Sequence, residues 1–478
     1  MSKGDLKKKT KVGAYWQMAN QLSNNGLMFV INIIMARLLM PEDFGVVAIP
    51  MVFLAIAEIF IEAGFSSALV RKDEVSESDM STAFIFSISV GVICYLVLFF
   101  LSPLIASFYQ EPRLINVTRV AAIAFLITPL STPQTVILKR KIDFKTPAKV
   151  AVISRVLAGI LGISLAYYGF GLWSLVYSNL AGAFLTFAFN WISVRWYPKA
   201  GWSKTSFNYL FGYGSKMVLT YLLSRVYMNI APLFIGKYCN TEQLGIYNNA
   251  HRYTIYPSRF FIGIVQNVTF PVLCQIKNDD NTLALSYRKM IKITTFLVFP
   301  LMLLLAVVAE PLVRIFLTDK WIGCVPFIQI MCLSTMWSPV HSLNLNLLLI
   351  KGRSDLFLRL EIIKDSIGVC IMLITLPMGI IPFLWGRVLS SLICLYINTY
   401  YTGKIIGVGF FRQMGDVLPS FILTITIALT TYISISFLDN LWFKLIAGIL
   451  LGTLLYIGLS LLLRFPEWED VKYMIKRN

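Results

Sequence analysis

Arg252, Tyr256 and Arg259, followed by Gly263 and Gln266, recur at i, i+4, i+7, i+11 and i+14, which is one face of a single α-helix. A guanidinium presents a rigid fork of donors that matches the oxygens of a phosphate. Two of them on one face, with a phenol between, suit an extended anion such as a diphosphate carrying sugars. Lys216 and Arg225 precede them. These two are nine residues apart, about half a turn out of phase, so a straight helix cannot aim both at one point. Arg225 is the deeper, and Asn229 follows it at i+4. Early in the chain Glu58 and Glu62 stand one turn apart, where two carboxylates share a proton, take up a cation or pair with arginine. Gln17, Asn20, Gln21 and Asn24 form a polar stripe ahead of them. This reading assigns Arg225, Arg252, Arg259, Lys216, Tyr256 and Asn24 to substrate, and Glu58 and Glu62 to a coupling proton or cation. A structural salt bridge to the later arginine helices is the other reading of the two glutamates. Arg155, Arg359, Glu361, Lys364, Asp365 and Arg387 are placed near helix ends, where snorkelling and local pairing account for them.

The rest of the chain must bury these charges. It has 478 residues, of which 57% are hydrophobic and 14% charged, and a mean hydropathy of +0.72. A soluble protein carries about 25% charged residues, so this composition is that of a polytopic membrane protein. The net charge of +18 belongs to cytoplasmic loops rather than to nucleic-acid binding, because no recognition motif accompanies it. The seven cysteines are scattered without a C-x-x-C pair, and there are two histidines. Neither a disulfide framework nor a histidine metal site is expected, and no cofactor and no catalytic residue. The first twenty-two residues lack the clean apolar core and small-residue cleavage site of a signal peptide, so the first helix is expected to stay.

The hydropathy pattern predicts an all-α integral membrane protein with fourteen spans. They cover residues 13–39, 43–70, 80–107, 114–137, 148–168, 170–194, 207–236, 241–273, 283–309, 325–350, 355–376, 380–403, 414–437 and 441–463. Alternate connections are basic, with about 27 Lys/Arg on one side against about 7 on the other, so both termini are expected in the cytoplasm.

The pattern also repeats. RLLMPEDFGVV at 37–47 returns as KYCNTEQLGIY at 237–247. PLIASF at 103–108 returns as PLVRIF at 311–316, and LKRKIDF at 138–144 as IKGRSDL at 350–356. Pro41 suits a first helical turn, Glu42 and Asp43 its positive end, and Thr241 a cap; Gly45 and Gly245 permit close helix approach. The expected organisation is two pseudo-symmetric six-helix bundles, 1–200 and 201–405, followed by an extra transmembrane pair and cytoplasmic tail at 406–478. Six helices is an even number, so the bundles run the same way and are expected to flank a cleft that rocking opens to either side.

ARLLMPEDFGVVAI (36–49), FIEAGFSSALVRK (60–72), LKRKIDFK (138–145) and FPVLCQIKND (270–279) resemble the bacterial lipid-linked polysaccharide repeat-unit flippases. The likeness is to their colanic-acid and teichuronic-acid exporter branch, within the multidrug/oligosaccharidyl-lipid/polysaccharide exporter superfamily. The resemblance implies transfer of an undecaprenyl-diphosphate-linked oligosaccharide from the cytoplasmic to the outer leaflet of the bacterial inner membrane, for export of surface polysaccharide, through a cationic cavity. It implies as partners the lipid-linked oligosaccharide diphosphate and the bilayer, together with a polysaccharide polymerase and glycosyltransferases. Other readings stay open at this point. One is a drug/cation antiporter or a peptidoglycan-precursor flippase of the same architecture. Another is a membrane glycosyltransferase or polymerase using Glu42 and Asp43 as its acids.

Overall fold

The computed structural model describes residues 23–264 and 270–470, with the side chains of Glu62 and Lys216 outside the described set. Gln17, Asn20, Gln21 and Gln266 also lie outside it. The described residues are helical, without strands. Among the described residues, eight helices and the broken span Arg113–Arg140 are long and apolar enough to cross a membrane. The chain forms two compact units, Met1–Gly245 and Ile246–Asn478.

The first unit holds α1 (residues 23–38), α2 (Pro41–Arg71), α3 (Glu77–Tyr109) and a broken span made of α4 (Arg113–Ala121), α5 (Ala124–Ile127) and α6 (Thr132–Arg140). It continues with α7 (Lys145–Tyr167), α8 (Leu172–Ser193) and α9 (Lys204–Tyr238). α10 (Thr241–Ile264) starts in the first unit and continues in the second. The second unit then holds α11 (Phe270–Gln275), α12 (Asp280–Val307), α13 (Ala309–Phe316) and a second broken span, α14 (Cys324–Thr335) with α15 (Ser338–Ile350). α16 (Ser354–Thr375), α17 (Ile380–Ile406), α18 (Phe410–Ser436) and α19 (Leu441–Leu462) complete it.

The repeat read from the sequence recurs in the helices. α2 and α10 start at 41 and 241, an offset of 200; α3 and α12 at 77 and 280, an offset of 203. α4 and α14 start at 113 and 324, an offset of 211, α7 and α16 at 145 and 354, 209, and α8 and α17 at 172 and 380, 208. Burial follows the same register: residues 42–50 and 242–250 match class by class. The α6–α7 and α15–α16 turns close identically. Asp143 N donates to Leu138 O at 3.0 Å and Arg353 N to Leu348 O at 2.8 Å. The left-handed residue is Ile142 (φ +54°) in one and Gly352 (φ +70°) in the other. These turns are 210 residues apart, a register two short of the one the letters alone suggest. Each turn also sends a cation back to an earlier helix end, where free carbonyls carry negative charge. Arg140 donates to Leu69 O at 2.9 Å and Asp73 O at 2.8 Å, and Lys351 to Lys277 O at 2.6 Å.

The tight polar turns have a local cause. Met40 has no side-chain acceptor, so Asp43 Oδ2 reaches back to accept from Met40 N at 3.1 Å. In the second copy Asn240 Oδ1 accepts from Gln243 N at 2.7 Å. The cap there is Asn240, not Thr241, which is the first helical residue. This reversal explains why Asp43 gives way to Gln243. Glu42 is taken up by Arg113, whose Nε also bonds Glu111 at 2.8 Å. The guanidinium of Arg113 holds the Glu111 carboxyl below its ordinary range. Beyond the caps, the two glycines meet. A Cβ on Gly45 would lie 1.6 Å from Thr241 O, and one on Gly245 would lie 1.8 Å from Pro41 O. α2 and the first turn of α10 therefore cross backbone to backbone, with each glycine one turn into its own helix.

The final pair packs within the second unit. Arg288 of α12 forks onto the buried Asp416 of α18 at 2.7 and 2.8 Å, and Lys292 adds a contact at 3.3 Å. Tyr456 OH donates to Phe296 O at 2.7 Å, and Gly448 and Gly452 of α19 admit Val308 and Leu304. Among the described helices outside those spans are α9, α10 and α16, which carry the charges, and the two short pieces of the second broken span.

Candidate functional site: an arginine face on the second unit

α10 divides as its residue spacing requires. Tyr253, Thr254 and Ser258 are buried. Thr254 Oγ1 and Ser258 Oγ both cap carbonyls, the latter Thr335 O at 3.4 Å. Arg252 and Arg259 are exposed on the other side, with Tyr256 half-buried. Nothing lies within 4 Å of where a Cβ on Gly263 would sit, so the stripe continues as open space. Leaving a guanidinium against lipid is expensive, and such groups in spanning segments face protein or water-filled cavities.

α17 adds a cation that the sequence reading set aside. Arg387 Nη1 donates to Tyr247 OH at 3.0 Å, and Tyr247 stacks on His251 at 5.9 Å with rings 8° from parallel. Arg387, Arg259 and Arg252 all act electrostatically on His251. Arg387 lies seven residues into α17, about 10 Å from its start, and is half-buried. It is not an end residue, as expected above. Among the described residues it has no carboxylate within ion-pair distance. Its signal was legible as a charge inside the apolar run IIPFLWGRVLSS.

The other predicted residues lie in the first unit. Arg225 is exposed on α9, and Asn229 turns back to donate to Arg225 O at 2.8 Å instead of extending the site. Lys216 lies on α9, but its side chain is outside the described residues. Asn24 is half-buried on α1, and Glu58 is half-buried on α2. The backbone of α2 is continuous from Glu58 to Glu62, which keeps the two positions one turn apart. The described residues hold no cluster of three or more His, Cys, Asp or Glu side chains able to take a metal.

Two solved structures share the architecture. One is a lipid II flippase, MurJ, in an inward closed conformation, with a TM-score of 0.75 and 17% identity, covering 95% of this chain and 99% of that one. The other is a multidrug resistance MATE family transporter in an inward-facing conformation, with a TM-score of 0.61 and 16% identity, covering 80% and 95%. The chain shares the fold of these two structures, and its long apolar helices are those of a multi-pass membrane protein.

The model of the polysaccharide biosynthesis protein family matches residues 34–326, well over half of the chain, and the chain belongs to that family. It is 28% identical over 63% of its length to the teichuronic acid biosynthesis protein TuaB of Bacillus subtilis. That match spans 62% of TuaB. It is 23% identical over 82% of its length to the lipopolysaccharide biosynthesis protein WzxC of Escherichia coli, of which 80% is covered. It is 24% identical over 67% to the succinoglycan biosynthesis transport protein ExoT of Rhizobium meliloti, of which 65% is covered.

Proposed function

We propose that the protein is a flippase that moves a lipid-linked oligosaccharide diphosphate from the cytoplasmic to the outer leaflet of the bacterial inner membrane, by alternating access of two similar halves. The observation that carries this reading is the arginine face: Arg252 and Arg259 open on α10, with Arg387 of α17 bonded to Tyr247 of α10. Cations at membrane depth favour an anionic guest, and arginine forks favour phosphate oxygens over a single carboxylate. Tyr256 supplies a hydroxyl for the sugar. Arg225, Lys216 and Asn24 are the first unit's contribution to the same task, and Glu58 and Glu62 its candidates for a proton or cation. Family membership and relatives named for teichuronic acid, lipopolysaccharide and succinoglycan support a surface polysaccharide as the product.

An inside-negative membrane assists the outward step by about 2.3 kcal/mol per charge per 100 mV. Both termini lie in the cytoplasm in this scheme, and the polymerase and glycosyltransferases act on the same lipid-linked intermediate on either side of the step.

The polymerase reading loses its acids, because Asp43 is spent on Met40 N and Glu42 on Arg113. Arginine-rich walls also disfavour the cationic guests of a drug antiporter. The test is deletion in the native host. Lipid-linked repeat units should accumulate on the cytoplasmic leaflet with sugar assembly intact. Normal surface glycan in the deletion strain, or rescue of a peptidoglycan-precursor flippase depletion by this chain, would replace the reading.

A further inference from the structure

The second broken span carries a group that the arginine face does not use. His341 sits in the first turn of α15, just past the break after α14, nine residues and about 13 Å from the C-terminal end of that helix. Two side chains one face of α17 apart hold its ring: Asn398 Nδ2 is 3.1 Å from Nδ1, and Ser391 Oγ is 3.1 Å from Nε2. Ser391 Oγ in turn donates to Ser334 O at 3.2 Å, a carbonyl left over at the end of α14. These contacts fit one protonation state of the ring. The Asn398 amide donates, so Nδ1 accepts; the Ser391 hydrogen is spent on Ser334 O, so Nε2 carries the ring proton. In this arrangement a neutral imidazole is satisfied on both sides.

A second proton on Nδ1 would set donor against donor. The same amide holds the remedy. Asn398 is 2% exposed, and its Oδ1 is buried with no hydrogen-bond partner among the described residues. A half-turn of the amide brings that oxygen to Nδ1 and converts the clash into an N–H···O bond. Neutral and protonated rings are thus each accommodated by one of two amide orientations.

The charged surroundings are one-sided. Among the described residues, Lys364 of α16 is the charged group that acts on the ring. Lys364 pairs with Glu361, and Asp365 lies beside them; all three act on Cys394 of α17, one turn beyond Ser391. Arg387 lies one turn before Ser391 on α17. Tyr287 of α12 is buried at the next turn, where Asn344, Gln413 and Thr402 bond one another.

We propose that His341 is a proton-binding site of the transport cycle, with the Asn398 amide as its two-position partner. A proton taken up from water at Nδ1 in one state is released in the other, and no further reactant is involved. The coupling part of this proposal rests on the flippase reading; the proton site itself does not.

The chain has two histidines, so a His251→Asn background leaves one imidazole for nitrogen NMR of the full-length protein in lipid nanodiscs. The expected spectrum shows an Nε2–H tautomer at alkaline pH and a doubly protonated ring on acidification. A ring that stays neutral until the protein unfolds, or an Nδ1–H tautomer at alkaline pH, overturns the proposal. In proteoliposomes carrying an undecaprenyl-diphosphate oligosaccharide, an imposed gradient should shift the leaflet ratio about tenfold per proton per pH unit. His341→Asn should abolish that response, and a response equal to that of the unaltered chain overturns the coupling. If the unaltered chain moves no glycolipid at all, the flippase reading and the coupling fall together, and the NMR titration alone decides the site.

Discussion

Replacing Gly45 by alanine puts the glycine crossing under direct load. The added methyl would lie 1.6 Å from Thr241 O, whereas ordinary contact begins near 3.4 Å. The obstacle is backbone, which no rotamer change can move, so α2 and α10 must part by roughly 2 Å at this point or bend around it. Overpacking of this kind costs about 1–3 kcal/mol. Gly245→Ala meets Pro41 O at 1.8 Å and should cost a similar amount. Because both methyls strain one crossing, helices parted by the first accommodate the second. The double variant should therefore lose less than the sum of the singles, with a coupling of about 1 kcal/mol or more. Gly182→Ala is the control: its nearest neighbour would be Ala158 Cβ at 3.6 Å, and helix propensity predicts a gain of about 0.5–1 kcal/mol. Equilibrium unfolding in mixed detergent micelles measures all four. Strictly additive losses, or a Gly45→Ala protein as stable as the parent, would refute the backbone crossing.

Three further outcomes follow from named contacts. Asp416→Asn should destabilise the second unit by about 2 kcal/mol, below the range for a fully buried pair because Arg288 is half exposed, and limited proteolysis should release α18–α19 first. Ile142→Gly should stabilise by about 0.5–1 kcal/mol in the same unfolding assay, since an isoleucine at φ +54° pays a steric cost that glycine avoids. The Glu111 carboxyl is held below its unfolded value by Arg113, so its contribution is present above about pH 4.3 and fades as pH falls through the lower folded value. Arg113→Ala should flatten that part of the pH–stability curve, by no more than about 1 kcal/mol for so exposed a pair.

Hydropathy and spacing anticipate an all-helical chain, its drifting repeat and the exposure of Arg252 and Arg259 on α10, because burial in lipid selects apolar runs and a helix has one period; of the fourteen expected spans, nine are long and apolar enough among the described residues. The internal breaks at residues 121–132 and 336–337 were not legible as breaks: Pro129, Pro133 and Pro339 sit inside otherwise apolar text, and kinked continuous helices read the same way. The Asn240 cap was missed because asparagine and threonine are both good caps and only backbone geometry chooses between them. For Arg387 and His341 the sequence shows the residue but not its partners. Their meaning comes from Tyr247, Ser391 and Asn398, partners 140, 50 and 57 residues away in the chain, and no local pattern encodes that proximity.

The central claim is that the arginine face receives a diphosphate. Its most direct measurement is the leaflet distribution of lipid-linked repeat units in cells whose only copy carries Arg252→Gln, Arg259→Gln and Arg387→Gln, with membrane levels of the protein matched to the parent. The glycolipid should build up on the cytoplasmic leaflet and surface polysaccharide should fall at least tenfold, a loss of about 1.4 kcal/mol of anion binding or more. An unchanged leaflet ratio with normal surface polysaccharide would contradict it.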